Sequence, residues 1–567
     1  MARKITALVL ALLMFGVLFA GCNSGSQPAA TTAAPAATTA APAATTAAPA
    51  ATTAAPAATT AAPAATTAAP AATTAAPAAT TAPAAEGGKV LDQDTTVDMW
   101  IIEHSSYVYQ PGLLCEQLIG DYVGLYFNVT PFQTGVEDKI NLGLASGDLP
   151  DIYFYPSLSN CTEWGMKQGA LVNITEYFDQ MPNYTAWAEG MGDYTSYYYC
   201  ADGGMYMMPQ YGFGTASNST FWIYRKDLFE ANDIPVPTNE VEVHDACAKL
   251  KELYPESYPF ACRSFDGSMG IMDRIVYQFG GGFNRYYSNK EGKWVYGQLE
   301  PQCEAAVAWL AQMYADKLMA ENILSLDTAG WQEQITTNKG FMFSDYQARI
   351  DFYNAPMREV DPSVTFAYMT PWEGNGSGVH TFNPQSQLII NGYACFTTSK
   401  YIPEIIKFFD WLYTDQAYIA MNWGVEGESF VTNPDGTRSY TEIHQGDSGF
   451  IYQEKYSFFQ RGFWTICDPA AMTAAGSDEL LDAVEHVKTD SGEYRKPSLA
   501  LSVERSDRIK EIWEPINTHS IEGIGQFITG QRPISEYQTF CDELRALGID
   551  EVMELYNAQQ AENDANR

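Results

Sequence analysis

Thr96-Val97-Asp98-Met99-Trp100-Ile101-Ile102, Tyr126-Phe127-Asn128-Val129-Thr130 and Asp151-Ile152-Tyr153-Phe154 are three short runs rich in β-branched and aromatic residues. Between them lie Leu113–Val123, with apolar side chains at Leu114, Leu118, Ile119 and Tyr122, and Val136–Ala145, with Ile140, Leu142 and Leu144. Thr162–Gln168 opens a further helical run. Short extended runs alternating with helical spacing predict a parallel sheet covered by helices, the α/β class. In such sheets ligands collect beyond the carboxyl ends of the strands. That rule puts Glu103 and His104 after the first strand, and Tyr155 to Asn160 after the third, on one rim.

Working outward towards the N-terminus, the chain changes character twice. Arg3 and Lys4 precede an apolar run, Ile5–Ala20, followed by Gly21-Cys22. A basic start, an apolar stretch and small residues at its exit are the signs of a secretory signal, expected over residues 1–21. The run is short for a membrane-spanning helix, which needs about 20 residues. Leu18-Phe19-Ala20-Gly21-Cys22 resembles the lipobox of bacterial lipoproteins, which implies that Cys22 is the lipid attachment site and the new N-terminus. Diacylation of that kind holds a protein to a membrane far better than one acyl chain.

From Pro28 to Pro83 the chain repeats Ala-Ala-Thr-Thr-Ala-Ala-Pro. The seven-residue period is not a coiled coil, because each repeat carries a proline and none carries a large apolar residue. Residues 22–88 therefore read as a lipidated, disordered tether. Fully extended, the repeat would reach roughly 170 Å at about 3.1 Å per residue. The remaining residues, 90–567, read as the globular part.

Beyond the signal, 30 basic residues stand against 68 acidic ones, a balance that repels phosphate backbones and excludes nucleic acid as a partner. Nine cysteines follow Cys22, at 115, 161, 200, 247, 262, 303, 395, 467 and 541. Their odd number and the lack of Cys-x-x-Cys or Cys/His spacing argue against a disulfide framework or a zinc site, and most read as buried small hydrophobes. Many aromatic residues sit beside Gly, Asn, Asp or Pro, as in Tyr153-Phe154-Tyr155-Pro156, Met208-Pro209-Gln210-Tyr211-Gly212, Pro371-Trp372-Glu373-Gly374 and Asn422-Trp423-Gly424. Loop-borne rings next to polar groups suit sugars, whose C–H faces stack and whose hydroxyls pair with carboxylates and amides. No nucleophile elbow, His-Glu-x-x-His, Walker loop or dinucleotide fingerprint is present. A secreted glycan hydrolase, with two carboxylates across a cleft, and a surface adhesin or structural lipoprotein remain the alternative classes.

Ala145-Ser146-Gly147-Asp148-Leu149-Pro150-Asp151-Ile152 resembles the signature of family 1 extracellular solute-binding proteins, the receptors of ABC importers. Tyr206-Met207-Met208-Pro209 followed by Phe221-Trp222-Ile223-Tyr224-Arg225-Lys226-Asp227-Leu228-Phe229 is similar to that family's first crossing between lobes. Lys339-Gly340-Phe341-Met342-Phe343 looks like a cleft strand, and Trp423-Gly424-Val425-Glu426-Gly427-Glu428 and Phe527-Ile528-Thr529-Gly530-Gln531-Arg532-Pro533 resemble a large-lipoprotein subgroup.

The resemblance implies a two-lobe, periplasmic-binding-protein-like (type II) clamp with the ligand in the cleft between lobes. Lobe 1 would hold about 90–208 and 379–430, and lobe 2 about 209–378 with a C-terminal helical part, 431–567. By position, the cleft would draw on Glu103, His104, Tyr155, Ser157, Asn160, Tyr211, Trp222, Asp345, Tyr346, Trp372, Trp423 and Glu426, with Trp372 and Trp423 as the main stacking platforms. Ser159 stands where a charged sugar-binding residue is expected, and Ser288-Asn289-Lys290-Glu291-Gly292-Lys293 lacks the carboxylate spacing of a calcium loop. The implied protein is no enzyme and needs no cofactor or metal. It is expected to be a monomeric receptor, lipid-anchored on the extracellular side of the cell membrane, passing a mono- or oligosaccharide to an ABC permease.

Overall fold

The computed structural model describes residues 88–103, 108–212, 220–263, 270–383, 388–443, 455–456, 465–492 and 497–565. The expected signal peptide, Cys22, almost all of the tether and His104 lie outside these residues. All described residues belong to one unit, Pro77–Arg567. None of their helices is long and apolar enough to cross a membrane.

The chain begins with β1 (Thr95–Ile102), the helix Leu114–Tyr122, β2 (Leu125–Phe132), the helix Val136–Ser146 and β3 (Ile152–Ser157), as the alternating pattern predicts. β1 pairs in parallel with both β2 and β3. The turn into β3 shows why the Ala145–Ile152 sequence is needed. Gly147 ends the helix in the left-handed region, φ 81°, and its N–H reaches back to the Gly143 carbonyl, a conformation that favours glycine. Asp151 then ties the turn down: one carboxylate oxygen accepts from the Asp98 N–H at 2.8 Å and the other from the Ser399 hydroxyl at 2.6 Å. After β3 the expected helix appears as a short π-helical turn, Cys161–Lys167.

β4 (Met208–Tyr211) ends the first pass, and the chain leaves for the second lobe. There it forms β5 (Thr220–Arg225), the hairpin β6 (Arg285–Ser288) and β7 (Lys293–Tyr296), β8 (Met342–Tyr346) and β9 (Phe366–Met369). β5 lies between β8 and β9 and runs antiparallel to both. The chain returns as β10 (Leu388–Cys395), which inserts antiparallel between β3 and β4 and completes the five-stranded sheet β2-β1-β3-β10-β4. A small hairpin, β11 (Phe430–Thr432) and β12 (Arg438–Tyr440), follows.

Each lobe has its own core. Met99, Ile101, Ile119, Ile152, Tyr393 and Phe408 belong to the first, and Trp222, Phe260, Ile275, Leu310, Ile516 and Phe540 to the second, while Phe221, Trp331, Phe343 and Tyr353 form a third cluster beneath the second sheet. The late chain divides differently from the expected boundary at residue 431. Ile443, Cys467 and Ala475 pack in the first core, whereas Leu480, Ala483 and Val487 pack in the second lobe. A third crossing therefore falls near Gly476, where Ser477 caps the helix Asp478–Asp490 and binds the buried Asp351 of the second lobe. The final helices, Val503–Ile528, Tyr537–Ala546 and Ile549–Ala565, close over the second core.

The nine cysteines beyond Cys22 are reduced and buried. Burial pushes the Cys303 thiol up to about 12 and those of Cys200 and Cys541 up to about 11. They act as small hydrophobes rather than as nucleophiles.

Candidate functional site: the crossing edges of two sheets

The strand directions define the site. β1, β2 and β3 end at the edge of the first sheet from which β4 departs, because β3 and β4 both run antiparallel to β10. In the second lobe β5 enters at Thr220, which pairs with Tyr346, while Trp222 pairs with Met369 at the exit of β9. Glu103, Tyr155, Ser157 and Tyr211 thus stand at the crossing edge of one sheet, and Asp345 and Tyr346 at the crossing edge of the other.

On the first edge Glu103 is half-buried and held. Its carboxylate accepts from the Tyr109 N–H at 2.8 Å and from Gln133 Nε2 at 3.3 Å. Burial, with Glu116 alongside, pushes the Tyr109 phenol up to about 12, so it remains neutral at ordinary pH. Tyr155 has a φ of 95°, a conformation unusual for a residue with a side chain. Strain of this kind costs about 1–3 kcal/mol and concentrates at ligand clamps. Ser157 and Asn160 are committed to each other in a capping box, and Asn160 Nδ2 also donates to Glu137 at 3.1 Å. Their first role is to fix the turn after β3.

Tyr211 ends β4, where the chain leaves for the second lobe. Its N–H donates to the Thr465 carbonyl at 2.7 Å, and its own carbonyl accepts from the Cys467 N–H at 2.8 Å. The next residue, Gly212, has a φ of +87°, and a side chain there would come within 2.7 Å of the Cys467 carbonyl oxygen. The Tyr211 ring meets Trp187 and Tyr194 edge-on, each with centroids 6.2 Å away. Tyr194 is exposed, and Tyr211 and Trp187 are half-buried. Tyr211 was expected at the site, but Trp187 and Tyr194 went unnoticed in the sequence; Trp187 lies within a helix, Pro182–Met191, where a ring reads as core. Glu426 is exposed in the loop beside the first turn of the helix Leu114–Tyr122, since the neighbouring Gly424 packs against Leu114.

Three expected ligand contacts, Trp222, Trp372 and Trp423, are instead core. Trp222 and Trp372 pack on each other with centroids 5.3 Å apart, and Trp309 and Phe279 cover Trp372, which is fully buried. Trp423 is enclosed by Phe430 and Tyr440, and its Nε1 donates to Asp468 at 2.7 Å. Glycines beside Trp372 and Trp423 suggested open loops, but segments distant in sequence fold over both rings.

On the second edge Asp345 is fully buried, with Arg263 and Arg349 beside it. Arg263 did not stand out in the sequence, because it is 82 residues from Asp345, and Arg349, four residues after Asp345, reads as an ordinary charged residue of the helix Arg349–Arg358. Among the described residues no group of three or more His, Cys, Asp or Glu could hold a metal ion.

Two α/β lobes joined by three crossings, with polar and aromatic side chains collected at the crossing edges, define a clamp of the periplasmic-binding-protein type. Residues 126–419, more than half of the chain, match the bacterial extracellular solute-binding protein family, and the chain belongs to that family. Among curated proteins it is similar to lipoprotein LipO of Bacillus subtilis, with 21% identity over 59% of this chain. That match spans 66% of the relative, slightly under two thirds of its length.

Among solved structures, the alginate-binding protein AlgQ2, crystallised without calcium, superposes with a TM-score of 0.70 at 17% identity, over 84% of this chain and 99% of that one. The S. pneumoniae ABC-transporter substrate-binding protein FusA, in complex with kestose, gives 0.67 at 16%, over 83% and 100%. An HMO-binding solute-binding protein from Bifidobacterium longum infantis gives 0.68 at 12%, over 82% and 99%. At these identities the likeness establishes the fold.

Proposed function

We propose that this chain is a receptor that captures a mono- or oligosaccharide between its lobes and delivers it to the permease of an ABC importer. The observation that carries the reading is the half-exposed aromatic group Trp187, Tyr194 and Tyr211 on the same sheet edge as the held carboxylate of Glu103. Rings supply stacking faces, and Glu103, Gln133 and Tyr346 supply hydroxyl partners. Tyr155 and Glu426 extend the same set. Three similar folds are described as binding alginate, kestose or HMO, which supports a carbohydrate ligand. Family membership supports a binding protein rather than a catalyst.

Hinge closure around the ligand is the expected mechanism. The lobes already touch outside the crossings: Lys167 pairs with Asp507 at 2.5 Å, and Glu163 with Lys510 at 3.3 Å. The hydrogen bond to Asp507 raises the Lys167 ammonium, and the one to Lys167 lowers the Glu163 carboxyl. Exposed pairs of this kind are worth about 0–1 kcal/mol each, so ligand contacts outweigh them.

A thermal-shift screen of the chain over a sugar library tests the reading. A true ligand at a hundredfold excess over its Kd adds about 2.7 kcal/mol of apparent stability. The sugar that shifts the wild type should also make the protein more compact in small-angle scattering. Tyr211→Ala should weaken binding of that sugar by about 1–3 kcal/mol, by analogy with base stacking. A library without a single shift would remove the carbohydrate reading, and unchanged dimensions at saturation would remove closure.

Anchoring is the second part of the proposal. Cys22 would carry the lipid, and the repeat Pro28–Pro83 would let the receptor reach away from the membrane on its extracellular side. Cys22→Ala should release the protein from the membrane fraction or leave the precursor uncleaved. A mature-sized product still retained in that fraction would refute lipidation at this residue.

A further inference from the structure

The charged cluster on the second lobe's edge points to a narrower class of ligand. We propose that the cleft is built for an acidic saccharide, whose carboxylate is taken by Arg263 and Arg349; this rests on the carbohydrate-receptor reading above.

The argument is one of unbalanced charge. Arg263 Nη1 lies 3.4 Å from each carboxylate oxygen of Asp345, and Arg349 Nε lies 3.8 Å from one of them. Two guanidinium groups thus share a single carboxylate, and among the described residues neither has another ion-pair partner. Among the described residues one positive charge is left over, in a chain whose formal net charge is −36. Structural ion pairs elsewhere in this molecule are better matched: Arg505 and Glu562, Arg508 and Glu551, and Arg225 and Asp227 each meet through two hydrogen bonds.

Hydrogen-bond capacity is left over as well. A guanidinium carries five N–H donors. Arg349 makes no hydrogen bond among the described residues and lies over the rings of Phe352 and Trp331, 4.7 and 5.4 Å from their centroids. Beyond Asp345, Arg263 has among the described residues only a long contact to Thr328 at 3.5 Å. The Nε1 of Trp331 and the hydroxyl of Tyr353, both buried in the cluster beneath, have no hydrogen-bond partner among the described residues either. Asp345 is fully buried, yet the side chains of Arg263 and Arg349 keep 19% and 13% of their surface open. Access is therefore to the cations and not to the anion.

Placement completes the case. Asp345 pairs with Phe221, one residue inside the second lobe from the first crossing. The strip ending at Arg263 runs alongside β8 in the same direction, through the Phe260 and Met342 bridge. The surplus cation thus stands at the edge that meets the ligand. A uronate carboxylate there would complete the neutralisation through charge-assisted, bidentate bonds, which a neutral sugar lacks.

The test is titration calorimetry on the full chain with matched probes: trigalacturonate against galactotriose, and trimannuronate against mannotriose. The acidic member of at least one pair should bind tenfold or more tightly than its neutral partner, with an advantage that shrinks as salt rises. Arg349→Gln and Arg263→Gln should each bring the two members near parity, and Arg349→Lys should retain part of the preference. Thermal unfolding without sugar identifies any variant that fails to fold, and the three variants together keep the comparison available. Equal or tighter binding of the neutral probes, or a preference that survives both Gln variants, overturns the acidic-ligand proposal and leaves the carbohydrate reading standing. Silence from both acidic probes, when a neutral sugar from the library binds, likewise overturns the acidic-ligand proposal alone.

Discussion

Trp423→Ala is expected to destabilise the protein by about 3–5 kcal/mol, the cost of removing a large buried aromatic ring. The ring is enclosed by Phe430 and Tyr440, with Ala471 in the same small core. Its Nε1 donates to Asp468, whose other carboxylate oxygen caps the helix Pro469–Thr473 by accepting from the Ala470 N–H. Truncation would open a cavity and also deprive a buried carboxylate of a donor, which adds about 1–3 kcal/mol. Trp423→Phe should fall between wild type and Ala, because it keeps most of the ring but not the hydrogen bond. Urea unfolding followed by circular dichroism measures the loss. A midpoint unchanged in Trp423→Ala, together with weakened sugar binding, would return this tryptophan to the cleft.

Asp227→Ala should cost a similar amount, about 3–5 kcal/mol, for an electrostatic reason. Arg225 is 3% exposed, and its Nε and Nη2 donate to the two oxygens of Asp227 at 2.8 and 2.7 Å. Asp227 also accepts from the Thr365 N–H at 3.2 Å, which ties the start of β9 to the end of β5. Removing the carboxylate leaves a buried guanidinium without its counter-ion, the costly half of breaking such a pair. The double variant Arg225→Met with Asp227→Ala should recover part of the loss, since no stranded charge remains. If the double variant is less stable than the single by the full cost of Arg225→Met alone, the two residues are uncoupled and this account is wrong.

The Arg225-Lys226-Asp227 sequence was legible as part of a familial crossing pattern, but its physical meaning needed the folded chain. The same division runs through the first lobe. The order of β1, β2 and β3 and their two helices followed from apolar spacing, and the turn at Gly147 followed from its own local chemistry. The third crossing near Gly476 was not legible, because the helix Asp478–Asp490 is an ordinary amphipathic segment that could cover either lobe. Asp351 and β9 of the second lobe decide where it packs.

For the site, the sequence by itself determined what strand ends can determine. It put Glu103 and the run from Tyr155 to Asn160 at the carboxyl ends of their strands from the alternation of extended and helical spacing, whereas Tyr211, Asp345 and Tyr346 were reached only through the family resemblance. Only the tertiary structure decided which rings are open and which charges meet. Trp309, 63 residues before Trp372, covers that ring, and Asp468, 45 residues after Trp423, binds the other. Arg263 reaches Asp345 across 82 residues. Burial and pairing depend on contacts between segments far apart in the chain, and neither residue type nor local spacing carries that information.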